Sequence, residues 1–280
     1  MEKFKYFSSK KERCQVEIIF YDETTFKNEI FNAKKYFSCS KTRMNFKIND
    51  LIIPRYTALP NYKNLESDIN YVGAKMINTY NQHLYVADLQ NWVEDLKDIT
   101  PKTWRNVCDI PDNGPFVLKG ETNSKKHYWK ELMFAPNKKR AIEIDGLLRS
   151  DSMLQYQNIY VREYVKLKTY MIGLQDLPIT KEFRFFFYKD KILSGGYYWS
   201  SHSEELKETG IYPDVNDVPI SFLNKIAEKV KYNINFWVVD VAETESGEWI
   251  VIELNDGQMS GISDNEPDNI YRSLYSAINA

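Results

Sequence analysis

An α/β fold assembled from more than one lobe is what this sequence predicts, on three observations. Apolar strands alternate with amphipathic helices over roughly the first hundred residues. Two later stretches, Glu182–Leu193 and Phe236–Gly257, alternate around short polar turns and read as hairpins. With 280 residues, 43% hydrophobic and 15% aromatic, the chain has enough apolar material for a sizeable core and is not disordered.

The elements follow in order. Val16–Tyr21 and Leu51–Pro54 read as buried strands, and Leu65–Val72 and Val86–Leu96 as helices, the second placing Trp92, Val93 and Leu96 on one side. Thr100-Pro101 ends that helix and marks the passage to the next lobe. Pro115–Gly120 is an apolar strand that finishes on Lys119. The loop after it, Glu121–His127, is small, polar and basic. Its amides, hydroxyls and cations, Ser124 and Lys126 among them, suit a polyphosphate, although a solvated turn has the same composition. Ile159–Val165 is a further strand, and Pro219–Tyr232 an amphipathic helix with Phe222, Ile226 and Val230 facing the core.

Composition excludes several functions. A formal net charge of -2 provides no basic field, which argues against nucleic acid. No apolar run approaches a membrane span, and Met1–Tyr6 lacks the apolar core of a signal peptide. Cys14, Cys39 and Cys108 are widely spaced with no CxxC pair, so a reduced, cytoplasmic protein without a thiolate metal site is expected. His83, His127 and His202 do not cluster. Neither a Ser-His-Asp ordering, a Walker loop nor a dinucleotide fingerprint is present.

The chemistry concentrates in the two hairpins. With Ser246-Gly247 as a two-residue turn, Asp240 falls opposite Glu253, and Asn255 lies on the same face as Glu253. Two carboxylates and an amide oxygen in an apolar sheet suit a hard divalent cation. Glu243, Glu245 and Glu248, around the turn, are expected to be solvated. In the other hairpin Arg184 shares a face with Glu182 and Phe186; it either pairs with Glu182 or points at a ligand.

These motifs resemble the ATP-grasp superfamily. A strand carrying Asp240 followed by one reading Glu253-Leu254-Asn255 is similar to its metal-binding end, so the resemblance implies magnesium on Asp240, Glu253 and Asn255, held against ATP phosphates. It further implies that Lys119 reaches those phosphates with Ser124 and Lys126, that Glu163 contacts base or ribose, and that Arg184 lies near the transferring phosphate. Residues 1–105 are then a preceding small α/β domain, in which Arg55 is a candidate substrate contact. Residues 106–160 are the lid subdomain, and residues 161–280 the subdomain with the metal ligands. Two departures stand out. Ala87-Asp88-Leu89 lacks a lysine that many members carry, for which Lys102 is the candidate substitute, and the Val165–Glu182 segment is long and polar. The implied activity is an ATP- and Mg2+-dependent carboxylate–amine ligase, acting through an acyl phosphate, with a peptide or protein among the candidate substrates. The competing readings are an ATP-binding assembly factor and a phosphotransferase.

Overall fold

A computed structural model describes residues 15–22, 26–122 and 124–280; Met1–Tyr6, Cys14 and Asn123 lie outside these. Two compact units emerge, Met1–Ile77 and Asn78–Ala280.

The first unit contains β1 (Glu17–Tyr21), α1 (Ile30–Ala33), β2 (Ser38–Ser40), β3 (Leu51–Arg55), α2 (Tyr62–Tyr71) and β4 (Lys75–Met76). Its four strands run parallel in the order β2-β1-β3-β4. Ile19, Ile52 and Ile53 of the central strands are fully buried, as a parallel sheet requires. Helix α2 begins a turn earlier than its periodicity suggests and buries Tyr62, Leu65 and Ile69. Arg55 does not stand free for substrate: it donates to both Glu29 carboxylate oxygens at 2.9 and 2.7 Å and lies 4.2 Å from the Phe26 ring centre.

The second unit starts earlier than the boundary expected near residue 105. The reason is packing: Val86, Leu89, Trp92, Val93 and Leu96 share one buried cluster with Phe183, Trp237 and Val239. The single helix expected over 86–96 is two, α3 (Tyr80–Ala87) and α4 (Leu89–Val93). Thr79 and Gln82 form a capping box that starts α3, and Asp88 leaves helical geometry to cap α4.

Two antiparallel sheets build the rest. The first has the order β5-β8-β6-β7, from β5 (Thr103–Trp104), β6 (Asn113–Gly120), β7 (Phe134–Asn137) and β8 (Ile159–Glu163). Helix α5 (Lys138–Arg149) covers one face, burying Phe116, Leu118, Ile159 and Val161 with Ile144 and Leu148. Alternation leaves Val117, Lys119, Tyr160 and Arg162 on the other face, because Val117 pairs with Arg162 and Lys119 with Tyr160. The long polar segment before Glu182 is a small hairpin of its own, β9 (Thr169–Ile172) with β10 (Pro178–Thr180).

The second sheet has the order β12-β11-β13-β14, from β11 (Glu182–Tyr188), β12 (Lys191–Tyr197), β13 (Phe236–Glu243) and β14 (Trp249–Asp256). Three helices complete the unit: α6 (Ser203–Glu208), α7 (Ile220–Val230) and α8 (Pro267–Ile278). Leu223, Ile226 and Val230 of α7 enter the same cluster as Phe185, Phe187 and Val241. The opposite face of the sheet keeps the polar residues.

The β13–β14 hairpin reaches its register by a route the sequence did not suggest. The loop has three residues, Glu245–Gly247, closed by the Thr244 amide donating to Glu248 O at 2.8 Å, with Gly247 at φ +86°. That shifts the near pairs, such as Val241 with Val251, by one position. A bulge between Asp240 and Val241 takes up the difference, so Asp240 still pairs with Glu253 and Val238 with Asn255. Glu245 and Glu248 are exposed, but Glu243 is not simply solvated: Lys181 reaches its carboxylate at 2.7 Å.

Candidate active site

A cavity lies between the polar faces of the two sheets of the second unit. Val117, Lys119 and Arg162 line it from one sheet, Glu182, Ile252 and Glu253 from the other, and Ser124, Lys126, Glu163, Tyr164 and Trp199 from the segments around them. Lys119, Ser124, Lys126, Glu163 and Glu253 of the sequence-predicted set therefore meet at one opening.

Arg184 and Asp240 stand directly across neighbouring strands. The guanidinium grips the carboxylate in a fork, Nε to Oδ1 at 2.8 Å and Nη2 to Oδ2 at 2.7 Å, and its remaining nitrogen donates to Gly261 O at 2.9 Å. Of the two alternatives open for Arg184, its structural partner is thus Asp240 and not Glu182. Gly196, opposite Arg184, lets the chain lie close: a Cβ there would come within 2.5 Å of the Asp264–Asn265 backbone. Burial works against charge on Arg184, but Asp240 outweighs it and raises the pKa.

The other carboxylate, Glu253, is held by a lysine of the facing sheet. Lys119 donates to Glu253 Oε1, bridging the two sheets. Burial would push the Glu253 carboxyl up, yet Lys119, Lys126 and Arg184 overcome this and hold it at about 2. Asn255 follows two residues later on the same face, opposite Val238 and half-buried. The strand end is fixed from behind by Asp256, which accepts from Asn78 Nδ2 at 2.8 Å and lies 3.2 Å from His83 Nδ1.

Among the described residues no cluster of three His, Cys, Asp or Glu that could hold a metal ion assembles. Asp240, Glu253 and Asn255 all offer the oxygen a hard cation takes, but Asp240 accepts from Arg184 on both oxygens and Glu253 accepts from Lys119, so a cation held there would displace these pairs.

Glu163 is exposed at the end of β8, its amide donating to Lys102 O at 2.8 Å. The Lys102 ammonium lies 5.1 Å from the Trp104 ring centre and is not a cavity residue. The additional buried cation is instead Arg162, the residue before Glu163. Its guanidinium donates to Thr100 Oγ1 at 2.7 Å and to Ile252 O, and burial lowers its pKa to about 10. Its signal was strand parity, since Arg162 and Lys119 share a face. Glu182 is a further buried charged group lining the cavity. It is 3% exposed, Oε2 accepts from Thr180 Oγ1 at 3.3 Å, and Oε1 has no hydrogen-bond partner among the described residues. Burial pushes its carboxyl up to about 7; Lys126 opposes this and Asp240 adds to it.

No helix among the described residues is long and apolar enough to cross a membrane. Cys39 and Cys108 form no disulfide.

A family model describing an ATP-grasp domain, the third family of its clade, matches residues 108–274. No curated protein matches the chain in sequence. Among solved structures, a ligase associated with ribosomally synthesised peptides from Chryseobacterium gregarium, in complex with ADP and a leader and core peptide, superposes with TM-score 0.58 at 10% identity, covering 95% of this chain and 97% of that one. A macrocyclase from Microcystis aeruginosa bound with precursor peptide gives 0.57 at 12% identity over 95% and 100%. D-alanine–D-alanine ligase from Bacillus anthracis complexed with ATP gives 0.51 at 10% identity over 88% and 86%. At these identities the likeness is one of fold.

Proposed function

This chain belongs to that ATP-grasp family, and we propose that it is an ATP- and magnesium-dependent ligase that activates a carboxylate as an acyl phosphate and passes it to an amine. The observation that carries this reading is the charge arrangement at and beside the cavity, which Lys119 and Glu253 line and Arg184 and Asp240 do not. Two carboxylates, Asp240 and Glu253, and two cations, Arg184 and Lys119, neutralise one another in two pairs, one within a sheet and one between sheets. Such a quartet is suited to exchange: nucleotide phosphates take the cations and a metal takes the carboxylates.

In this reading Lys119, Ser124 and Lys126 bind phosphate oxygens, and Glu163, at the cavity rim, contacts base or ribose. Asp240, Glu253 and Asn255 would hold magnesium, whose charge would offset that of the phosphates. Arg184 contacts the transferring phosphoryl group with its planar fork. The carboxylate oxygen of the substrate attacks the γ-phosphorus, the bond to the bridging oxygen breaks, and ADP leaves. The amine then attacks the acyl carbon and phosphate departs. Phosphoryl transfer of this kind depends on positioning and charge neutralisation more than on covalent help from the protein. Closure of the sheet bearing Lys119 over the second sheet excludes water, which otherwise hydrolyses the acyl phosphate. A peptide is the first carboxylate to try, because two of the similar structures are described as holding one.

The test supplies ATP, magnesium and candidate carboxylates and amines, and follows ADP release together with product mass. A condensed product supports ligation. A phosphorylated product without condensation replaces it with phosphotransfer, and tight ATP binding without turnover replaces it with an assembly role.

A further inference from the structure

Beside the phosphate-facing part of the cavity, the ammonium of Lys126 occupies a distinct nest. Nζ lies 4.2 Å from the Tyr198 ring centre and 5.1 Å from that of Trp199, and it donates to the Tyr198 hydroxyl. The two rings meet edge to face at 5.1 Å, forming a corner of two π surfaces. Glu182 supplies the negative charge. It is among the groups that favour a charged Lys126, and its Oε1 is buried with no hydrogen-bond partner among the described residues.

The nest is rigidly built. Trp199 Nε1 donates to Thr180 Oγ1 at 3.1 Å, that hydroxyl donates to Glu182 Oε2 at 3.3 Å, and the Tyr197 hydroxyl donates to Thr180 O at 3.1 Å. Arg184 sits 4.9 Å from the Tyr198 ring centre, so this ring links the nest to the forked arginine. Lys126 itself comes from a short 3-10 turn on the loop after β6, not from either sheet. Aromatic faces with a carboxylate are the chemistry that binds a substituted ammonium. Here Trp199, Thr180 and Glu182 line the same cavity as Lys119 and Glu253.

We propose that Glu182, Tyr198 and Trp199 form the subsite for the amine substrate, a primary ammonium on an alkyl chain, and that Lys126 fills it as an internal stand-in until nucleotide binds. This rests on the ligase reading above. When polyphosphate enters, Lys126 turns to it and leaves the nest, so nucleotide comes before amine. The ammonium then lies between the carboxylate and the site of the acyl phosphate. Glu182 accepts one of its protons, leaving the neutral amine with the electron pair that forms the new C–N bond.

The probe is n-butylammonium chloride with n-butanol as the neutral control, followed by saturation-transfer NMR on the full chain with Mg2+ and a non-hydrolysable ATP analogue. n-Butylammonium should bind and n-butanol should not. Lys126→Ala should bind the cation even without nucleotide, and Glu182→Gln and Tyr198→Leu should each weaken it at least tenfold, with thermal melts confirming that they fold. Equal binding of the alcohol, no binding of the cation by the wild-type chain, or unchanged affinity in both the Glu182 and Tyr198 variants overturns the proposal. The two readings separate cleanly. Glu182-dependent binding of the cation without ADP release for any amine keeps the subsite and removes the ligase. Amine-dependent ADP release that is indifferent to Glu182→Gln does the reverse.

Discussion

The two ion pairs of the cleft look alike in composition and differ in architecture. Arg184 and Asp240 are cross-strand neighbours within one sheet, with Asp240 fully buried and the guanidinium held by three hydrogen bonds. Lys119 and Glu253 belong to different sheets, and a single flexible side chain joins them. The first pair is part of the floor, set by the register of one sheet, and in the ligase reading it opens only when metal and phosphate take its two charges. The second is a latch that opens whenever the sheets separate. One is therefore set to be preorganised for chemistry, the other to yield to incoming phosphate.

Removing one carboxylate from each pair gives the largest contrast. Asp240→Ala leaves a buried guanidinium with no counter-charge, and breaking such a pair costs about 3–5 kcal/mol. Glu253→Ala leaves Lys119 free to swing toward solvent or lose its proton, so its loss should be on the order of 1–2 kcal/mol. Urea unfolding of the two variants measures the difference, and both should lose magnesium-dependent ATP turnover. Equal destabilisation would mean that the inter-sheet pair is as fixed as the intra-sheet one.

Arg184→Lys sharpens the same point in kinetics. Lysine keeps the charge but not the fork that holds Asp240 and presents two donors at once. Turnover should fall about 10²–10³-fold, with ATP affinity changed far less. A variant with full kcat would reduce Arg184 to a structural partner of Asp240.

The floor was readable in part for a physical reason: strand alternation and the hairpin turn put Asp240, Glu253 and Asn255 on one face, while Arg184 joins them only through the pairing of β11 with β13. Even so, the expected register came out right through two compensating features, a three-residue loop and a bulge, neither of which alternation encodes. The latch was less legible. Lys119 was found by its motif, but its pairing with Glu253 depends on how two sheets stack, and Arg162 becomes visible only once β6 and β8 are aligned. Helix α3 begins before its apolar pattern does, because its start is set by the capping box of Thr79 and Gln82. Glu182 looked like the natural partner of Arg184 two residues away; the closer neighbour, Asp240, is distant in sequence and adjacent across the sheet.

The cleft's carboxyls also respond oppositely to pH. Glu253 is held at about 2, below its ordinary 4.5, so its contribution to stability is present above about 4.5 and is lost as pH falls toward 2. Glu182 is raised from 4.5 to about 7, so the folded state binds the extra proton between those values, and stability declines as pH rises through that window. Each pKa unit is worth about 1.4 kcal/mol, which makes the effect a few kcal/mol at most. Glu182→Gln should flatten the decline between pH 5 and 7 in denaturant melts and leave the acid limb unchanged. A slope that persists in that variant would place the responsible group elsewhere.

The smallest expected effect tests the latch directly. Lys119→Ala removes the inter-sheet bond to Glu253 and one positive charge facing the phosphates. Two consequences oppose each other. Losing the phosphate contact weakens ATP, while losing the latch removes an interaction that ATP otherwise has to break. The net change should therefore be modest, about tenfold in ATP affinity or roughly 1.4 kcal/mol, and adenosine, which has no phosphate, should bind as well or slightly better. Calorimetric titration with ATP and with adenosine reads both. If adenosine weakens as much as ATP, Lys119 shapes the cavity rather than meeting phosphate. If ATP is unaffected, the latch and the phosphate contact are equal in strength, and the distinction between floor and latch then rests on the stability contrast between the Asp240 and Glu253 variants.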